Sequence, residues 1–224
     1  MTPAAPAAGS LLRRFMLRAL GWLPLCFFLW WWVSSLTVWL PSHLAAKILM
    51  WGWPSLFTSV TAGIDAASGK PILSLLTAVA VSEVGPDGRT GVGFVELAVY
   101  PLIYGYSLPL FFGLALATPL EEERRWGQMA IGALVIWLAQ TFGLVADALK
   151  TFALGSGAQT AAAASAAGLS PDLVALCYQF GYLILPTVVP AALWLALNQS
   201  FIEALTGRKF GEPAPGDAGP SRTS

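Results

Sequence analysis

Charged side chains are scarce in this chain of 224 residues: 11% are Asp, Glu, Lys or Arg, against about 25% in ordinary soluble domains. The twelve basic and twelve acidic residues cancel, so no overall positive field favours nucleic acid as a partner. The hydrophobic fraction is 56%, and the mean hydropathy is +0.67. This composition excludes an ordinary soluble domain and indicates a membrane protein.

Residues with catalytic or metal-binding chemistry are equally scarce. The chain has one histidine, His43, and two cysteines, Cys26 and Cys177, each within an apolar stretch. That arrangement argues against a disulfide framework. The sequence contains no HExxH, GxSxG or P-loop motif and no Cys/His set with metal-ligand spacing. We therefore predict no cofactor, no metal and no catalytic residue of a common type.

Four long uncharged runs dominate what is present, and about 20 apolar residues suffice to cross the hydrocarbon core. They predict transmembrane helices at roughly 19–40, 101–119, 127–148 and 173–199. The apolar run of the first is about 22 residues, longer than a signal-peptide core of about 7–15. We therefore expect an uncleaved anchor. The predicted fold class is an all-α polytopic membrane protein whose single membrane domain covers residues 1–200.

The basic residues predict the orientation of these helices. Eight of them flank the spans on one side: Arg13, Arg14, Arg18, Arg124, Arg125, Arg208, Lys209 and Arg222. Four lie on the other side, in longer segments: Lys47, Lys70, Arg89 and Lys150. Basic residues in short flanks favour the cytoplasm. We therefore expect cytoplasmic termini, with a disordered tail at 201–224, and extracytoplasmic segments at 41–100 and 149–172.

Segment 41–100 has its own predicted structure. Residues 44–53 are typical of a short interfacial helix, which Pro54 would end. Residues 72–83 and 91–100 are rich in β-branched and aromatic side chains and partly alternate, and 84–89 carry turn residues. These features predict a β-hairpin over about 72–100. Because a lone hairpin is marginally stable in water, we expect it to pack on the membrane, on the short helix or on a partner.

Polar residues of three predicted spans fall toward the same outer side and form our set of interaction candidates. They are Tyr100, Tyr104, Tyr106, Gln140, Asp147, Tyr178 and Gln179. Gln140 and Asp147 are two helical turns apart and share a face. Two interpretations stay open: an aromatic belt with a surface Asp147–Lys150 ion pair, or a polar cluster that bridges helices or holds another protein.

Two alternatives to a binding role also stay open. Cys177 and His43 are the only candidates for catalysis, as the nucleophile and base of a membrane thiol enzyme. However, no basic residue accompanies Cys177 in its helix, and a small buried hydrophobe is its simpler role. Prolines 109, 186 and 190 would kink spans two and four, which would suit a small-molecule or lipid carrier. The internal repeats typical of many transporters are missing.

Four segments of the chain resemble the exosortase H-associated membrane protein family. They are RRFMLRALGWLPLCFFLWWW at 13–32, FVELAVYPLIYGYSLPLFFGLALAT at 94–118, QTFGLVADALK at 140–150 and YQFGYLILPTVVPAALWLALN at 178–198. They cover most of residues 11–200, and YPLIYGYSLPL and GYLILPT are the most specific parts. The resemblance transfers no functional residue.

The resemblance implies a place beside an exosortase, a polytopic enzyme of Gram-negative bacteria that cleaves C-terminal sorting signals on exported proteins. Exosortases are associated with catalytic Cys, Arg and His, and this chain lacks a matching set. We therefore expect a non-enzymatic accessory protein of the bacterial inner membrane that binds the exosortase or its substrate on the periplasmic side. The alternatives are a divergent thiol peptidase or transpeptidase using Cys177 and His43, and a carrier.

Overall fold

The computed structural model describes residues 8–84 and 90–206 of the chain. Its α-helices are α1 (Ala8–Thr37), α2 (Trp39–Gly52), α3 (Leu102–Gly105), α4 (Ser107–Ala117), α5 (Glu122–Gly155), α6 (Ala158–Ala166), α7 (Pro171–Gln179), α8 (Leu185–Leu197) and α9 (Gln199–Thr206). Its strands are β1 (Phe57–Ile64), β2 (Pro71–Val84) and β3 (Thr90–Val99). The fold is mostly helical, with one small sheet.

Three helical segments in the described part of the chain are long and apolar enough to cross a membrane: Gly9–Gly52, Glu122–Gly155 and Pro171–Leu197. They coincide with the first, third and fourth predicted spans. The second predicted span, 101–119, corresponds to the shorter apolar segment Leu102–Ala117. This segment is interrupted at Tyr106, between α3 and α4.

Local sequence explains where the last long helix begins and why it is distorted. The Ser170 hydroxyl accepts a hydrogen bond from the Leu173 N–H, and Pro171 occupies the first turn, where a missing N–H costs nothing. A π-helical stretch, Phe180–Ile184, then joins α7 to α8. Pro186 follows directly and has no N–H to continue an α-helical ladder. The predicted distortion of this span is therefore present.

The sheet is antiparallel, with strand order β1-β2-β3. Strands β2 and β3 form the predicted hairpin, and its predicted turn at 85–89 lies outside the described residues. Strand β1 was not predicted, because FTSVTAGI mixes Thr, Ser and Gly and shows no clear apolar alternation. Its pairing with residues 71–77 of β2 corrects the expected two-stranded hairpin to three strands.

Helix α2 differs from the expected interfacial helix at 44–53. It begins at Trp39, one residue after α1 ends, and packs between α5 and β1. Ala45 and Leu49 are fully buried there. One face of the helix is therefore buried against protein, whereas Ile48 and Trp51 on its other side are exposed.

Two clusters of buried apolar residues divide the core. The first joins the sheet to α2 and α5, where the rings of Phe57 and Phe152 meet at 5.3 Å; we call this the sheet end. The second joins α1, α4, α5 and α8 around Phe15, Phe111 and Trp194; we call this the terminal end. Helix α9 also packs there, so residues 201–206 are helical and not part of a disordered tail.

Candidate functional site

A hydrogen bond between Tyr104 and Asp147 is the centre of the polar site at the sheet end. The Tyr104 side chain is 1% exposed, and its hydroxyl donates to Asp147 Oδ2 at 3.1 Å. Tyr104 lies on α3, shortly after β3 ends, and Asp147 lies on α5. The bond therefore joins the connection between sheet and membrane helix to the longest helix of the bundle.

Two more side chains converge on the backbone of Tyr104. Gln140 Nε2 donates to the Tyr104 carbonyl at 3.1 Å, and the Ser107 hydroxyl donates to the same oxygen at 2.7 Å. Gln140 is buried, and its Oε1 atom has no hydrogen-bond partner among the described residues. We call Tyr104, Ser107, Gln140 and Asp147 the sheet-end network.

A pair of glycines makes room for this network. A Cβ atom on Gly143 would lie 2.7 Å from Cε1 of Tyr104, and one on Gly181 would lie 3.0 Å from the Cα of Gly143. Small residues allow membrane helices to approach closely, and here they bring α5 against the π-helical stretch. Our sequence analysis missed both glycines. The signal was a small residue in each of two long apolar runs, which is too common to identify a contact.

Aromatic rings extend the site toward α7. The Tyr104 and Tyr182 rings meet edge to face at 6.3 Å, and Tyr182 stacks on Tyr178 at 5.4 Å. The Lys150 ammonium lies 4.6 Å from the centre of the Tyr178 ring, a cation–π contact. Lys150 therefore interacts with Tyr178, while Asp147 hydrogen-bonds to Tyr104.

The other interaction candidates lie outside the sheet-end network. Tyr100 and Gln179 are exposed, and Tyr106 is half-buried. Tyr100 lines an open groove with Asp65 and Lys70 of the β1–β2 connection. The predicted set thus contains three residues that join α3 to α5, two half-buried tyrosines, and two exposed residues: Tyr104, Gln140 and Asp147; Tyr106 and Tyr178; and Tyr100 and Gln179.

Cys177 and His43 line different cavities that share no residue. The ring of His43 stacks on Trp39, and its Nδ1 atom lies 2.8 Å from the Trp39 carbonyl oxygen. Cys177 lines an apolar groove between α5 and α7. Within residues 8–84 and 90–206, no three His, Cys, Asp or Glu side chains are grouped as metal ligands.

A second polar network, which sequence analysis missed, lies at the terminal end. Gln128 Nε2 donates to the Leu197 carbonyl at 2.9 Å and lies 3.3 Å from Asn198 Oδ1. Asn198 Nδ2 donates to the Trp194 carbonyl at 2.8 Å. The Trp194 indole N–H donates to the Thr118 hydroxyl at 2.9 Å. We call Thr118, Gln128, Trp194 and Asn198 the terminal-end network.

The chemistry of both networks is structural. Each pairs most of its buried polar groups, which cost several kcal/mol each when left unpaired in an apolar environment, although the Oε1 atoms of Gln128 and Gln140 have no partner among the described residues. The sheet-end network joins α3, α4 and α5, and the terminal-end network ties the end of α8 to α4 and α5. Together they join the helices of the bundle to one another and to the segment that follows the sheet.

Comparisons with known proteins identify the family. Neither the curated proteins nor the solved structures include a match to this chain. A family model described as "Exosortase H-associated membrane protein" matches residues 9–201. That range contains both polar networks and the whole sheet. Because the match covers most of the sequence, the chain belongs to the exosortase H-associated membrane protein family.

Proposed function

We propose that this protein is a non-enzymatic accessory of an exosortase-type sorting system in the bacterial inner membrane. It binds the exosortase or its substrate through the sheet, which faces the periplasm, while both termini face the cytoplasm. The membership of the chain in an exosortase-associated family supports the choice of partner. The basic residues near the terminal end, Arg13, Arg14, Arg18, Arg124 and Arg125, support the orientation.

The observation on which the proposal depends most is that no third strand within the described residues pairs with the far half of the β2–β3 hairpin. Strand β1 pairs only with residues 71–77 of β2. Beyond a register shift between Leu76 and Ala80, β2 and β3 pair only with each other. A two-stranded ribbon is marginally stable in water. The distal half of the hairpin therefore gains from a partner that covers it.

Apolar side chains on this ribbon are open to such a partner. Val92 is 74% exposed and Phe94 is 54% exposed, and both alternate with inward-facing positions along β3. Farther along the same side, the exposed Glu96 and Ala98 separate these two residues from Tyr100, which follows the strand. Exposed apolar groups that lie together often mark contact sites between proteins. We define Val92, Phe94 and Tyr100 as the ribbon surface.

The sheet-end network supports this surface from behind. Strand β3 ends at Val99, and Tyr104 follows on α3, held by Asp147 and Gln140 of α5. This attachment fixes the exit of β3 relative to the bundle. In this proposal, the buried candidates position the ribbon surface and the exposed candidates contact the partner.

Co-purification from native membranes tests the proposal. The intact chain, tagged at its C terminus, is expected to recover an exosortase in near-equal amount after detergent extraction. The double variant Val92→Asp/Phe94→Asp is expected to lose the partner, because two charges would be buried in the contact. Ile64→Asp is the matched control, since Ile64 is an exposed apolar residue on the opposite edge strand.

Two results would contradict the proposal. The first is that the intact chain never co-elutes with an exosortase and its deletion leaves sorting unchanged. The second is that the double variant and Ile64→Asp retain the partner equally, which would place the contact away from the ribbon surface. Replacing Cys177 by Ala tests the thiol-enzyme alternative, and unchanged processing of the sorted protein would remove it.

A further inference from the structure

The apolar segment containing α3 and α4 is shorter than the hydrocarbon core of a typical bilayer is thick. Leu102–Ala117 extends roughly 24 Å at about 1.5 Å per residue, whereas the hydrocarbon core is about 30 Å thick. Its neighbours α1 and α5 are long enough to span that thickness. Helix α4 ends at Ala117 and is followed by Thr118 and Pro119. A gap beside α1 therefore remains at the terminal end. A membrane segment shorter than the hydrocarbon core thins the bilayer locally, which draws the polar headgroup layer inward.

Two arginines line this gap. A groove between α1 and the end of α4 is bounded by Leu11, Arg14, Phe15, Arg18, Ala117 and Pro119. Arg14 and Arg18 are four residues apart, so their side chains lie on one face of α1. Both side chains are exposed, and no carboxylate of the described residues pairs with either guanidinium. The groove thus combines two positive charges with an apolar lining in which Phe15 and Ala117 are buried.

Other charges nearby do not neutralise these arginines. The Arg125 guanidinium donates a hydrogen bond to the Leu120 carbonyl at 2.8 Å, and the Arg124 guanidinium donates to the Leu197 carbonyl at 3.5 Å. Glu122 and Glu123 lie in the first turn of α5, where the positive end of the helix dipole favours acidic side chains. The positive charge of Arg14 and Arg18 therefore remains available to a ligand.

We propose that this groove binds an anionic phospholipid of the phosphatidylglycerol type. The guanidinium groups of Arg14 and Arg18 hold the headgroup phosphate, since arginine matches the geometry of phosphate oxygens. The acyl chains lie along the outer side of α1, where Leu17 and Leu20 are exposed. Basic pockets between membrane helices suit such headgroups. A free phosphate ion would use only the charged part of the site.

The test uses the full-length protein in detergent, with bound lipid counted by native mass spectrometry after addition of palmitoyl-oleoyl phosphatidylglycerol or the matching phosphatidylethanolamine. The unchanged protein is expected to retain phosphatidylglycerol in preference to phosphatidylethanolamine. Arg14→Gln/Arg18→Gln is expected to lower retention about tenfold. Arg13→Gln is the control, because Arg13 is exposed on the same helix but does not line the groove.

Three further measurements separate the possible causes of a change in lipid retention. Arg14→Lys/Arg18→Lys keeps the charge and is expected to retain most of the binding. Thermal unfolding of each variant checks that the fold is unchanged, as expected for exposed positions. Excess inorganic phosphate is expected to leave phosphatidylglycerol in place. Equal retention of the two lipids, equal loss in Arg13→Gln, or displacement by inorganic phosphate would overturn the proposal.

Discussion

The sheet-end and terminal-end networks join the same helix, α5, to different neighbours by different chemistry. At the sheet end, Tyr104 donates to a carboxyl group, Asp147, and a glycine pair lets the ring fit against α5. At the terminal end, neutral amide, indole and hydroxyl groups bond to one another and to the last carbonyls of α8. One network thus contains an ionisable group, and the other contains none.

The two networks differ in chemistry because each lies at a different kind of irregularity in the backbone. The terminal-end network lies where α8 stops, so its amides bond to carbonyls of the last helical turn, where the regular backbone ladder ends. The sheet-end network lies where β3 is followed by the short helix α3 and then by α4, with a break in the regular backbone ladder at Tyr106. Side chains from α5 replace part of that ladder there. A polar cluster in a membrane protein can therefore mark an irregular backbone as well as a functional site.

We expect the largest change in stability from a substitution that fills the space beside Tyr104 in the sheet-end network. Gly143→Ala would place a methyl group 2.7 Å from the Tyr104 ring. We expect it to lower the free energy of unfolding by about 3 kcal/mol, because overpacked contacts force the backbone to shift. Thermal unfolding in detergent measures the change.

Gly127→Ala is the matched control on the same helix. A Cβ atom at Gly127 meets nothing within 4 Å, and alanine is the better helix former. We therefore expect the control to be neutral or stabilising. Equal stability of the two variants would mean that the glycine contact does not constrain the sheet end.

We expect the next largest change in stability from removing the hydrogen bond between Tyr104 and Asp147. Tyr104→Phe keeps the ring and removes the hydroxyl that donates to Asp147. We expect a loss of about 2 kcal/mol, as for other buried bonds to carboxyl groups. Tyr100→Phe, at an exposed tyrosine, is expected to leave stability unchanged. A double-mutant cycle with Asp147→Ala, which removes the acceptor, measures the coupling, and additive effects would count against a direct bond.

A smaller effect is expected at the terminal end. Thr118→Val removes the acceptor of the Trp194 indole N–H and should cost about 1 kcal/mol, since both partners are neutral. Thr187→Val is the control, because the Thr187 hydroxyl bonds only to carbonyls of its own helical segment. If Thr118→Val were more damaging than Tyr104→Phe, the terminal-end network would be the stronger attachment and our ranking would be wrong.

The smallest effect concerns an acid of the sheet end that lies in the exposed β1–β2 connection. Asp65 accepts hydrogen bonds from the backbone of Ala67 and Ser68 and from the Ser68 hydroxyl. The Ser68 hydroxyl, followed by these backbone groups, lowers the pKa of Asp65 below its ordinary value of 3.8. A lowered folded-state pKa contributes stability above the ordinary value that is lost as the pH falls through the folded value.

Asp65→Asn is therefore expected to be slightly less stable than the unchanged protein at neutral pH. The difference between the two unfolding temperatures should shrink as the pH falls below 3.8. Ser68→Ala should show the same trend, because it removes the largest cause of the shift. A difference that stays constant with pH would mean that the carboxylate does not stabilise this connection.

Asp147 and Tyr104 stood out in the sequence, because polar residues in apolar spans are rare. The structure joins them by a hydrogen bond that the sequence did not predict. Gln128 and Asn198 were missed because they lie near span ends, where polar residues are ordinary. Strand β1 was missed because its pairing partner, not its own composition, makes it a strand.

The sequence by itself determined the membrane class, three helices long and apolar enough to cross a membrane, the β2–β3 strands and the start of α7. Each of these depends on local properties: the partition of apolar side chains, strand propensity and helix capping. Only the tertiary structure decided the third strand, the glycine contact, the partners of the polar groups and the burial of α2. In lipid, most helix faces are apolar, so periodicity does not show which face meets a neighbour. That choice depends on the fit of surfaces far apart in the chain.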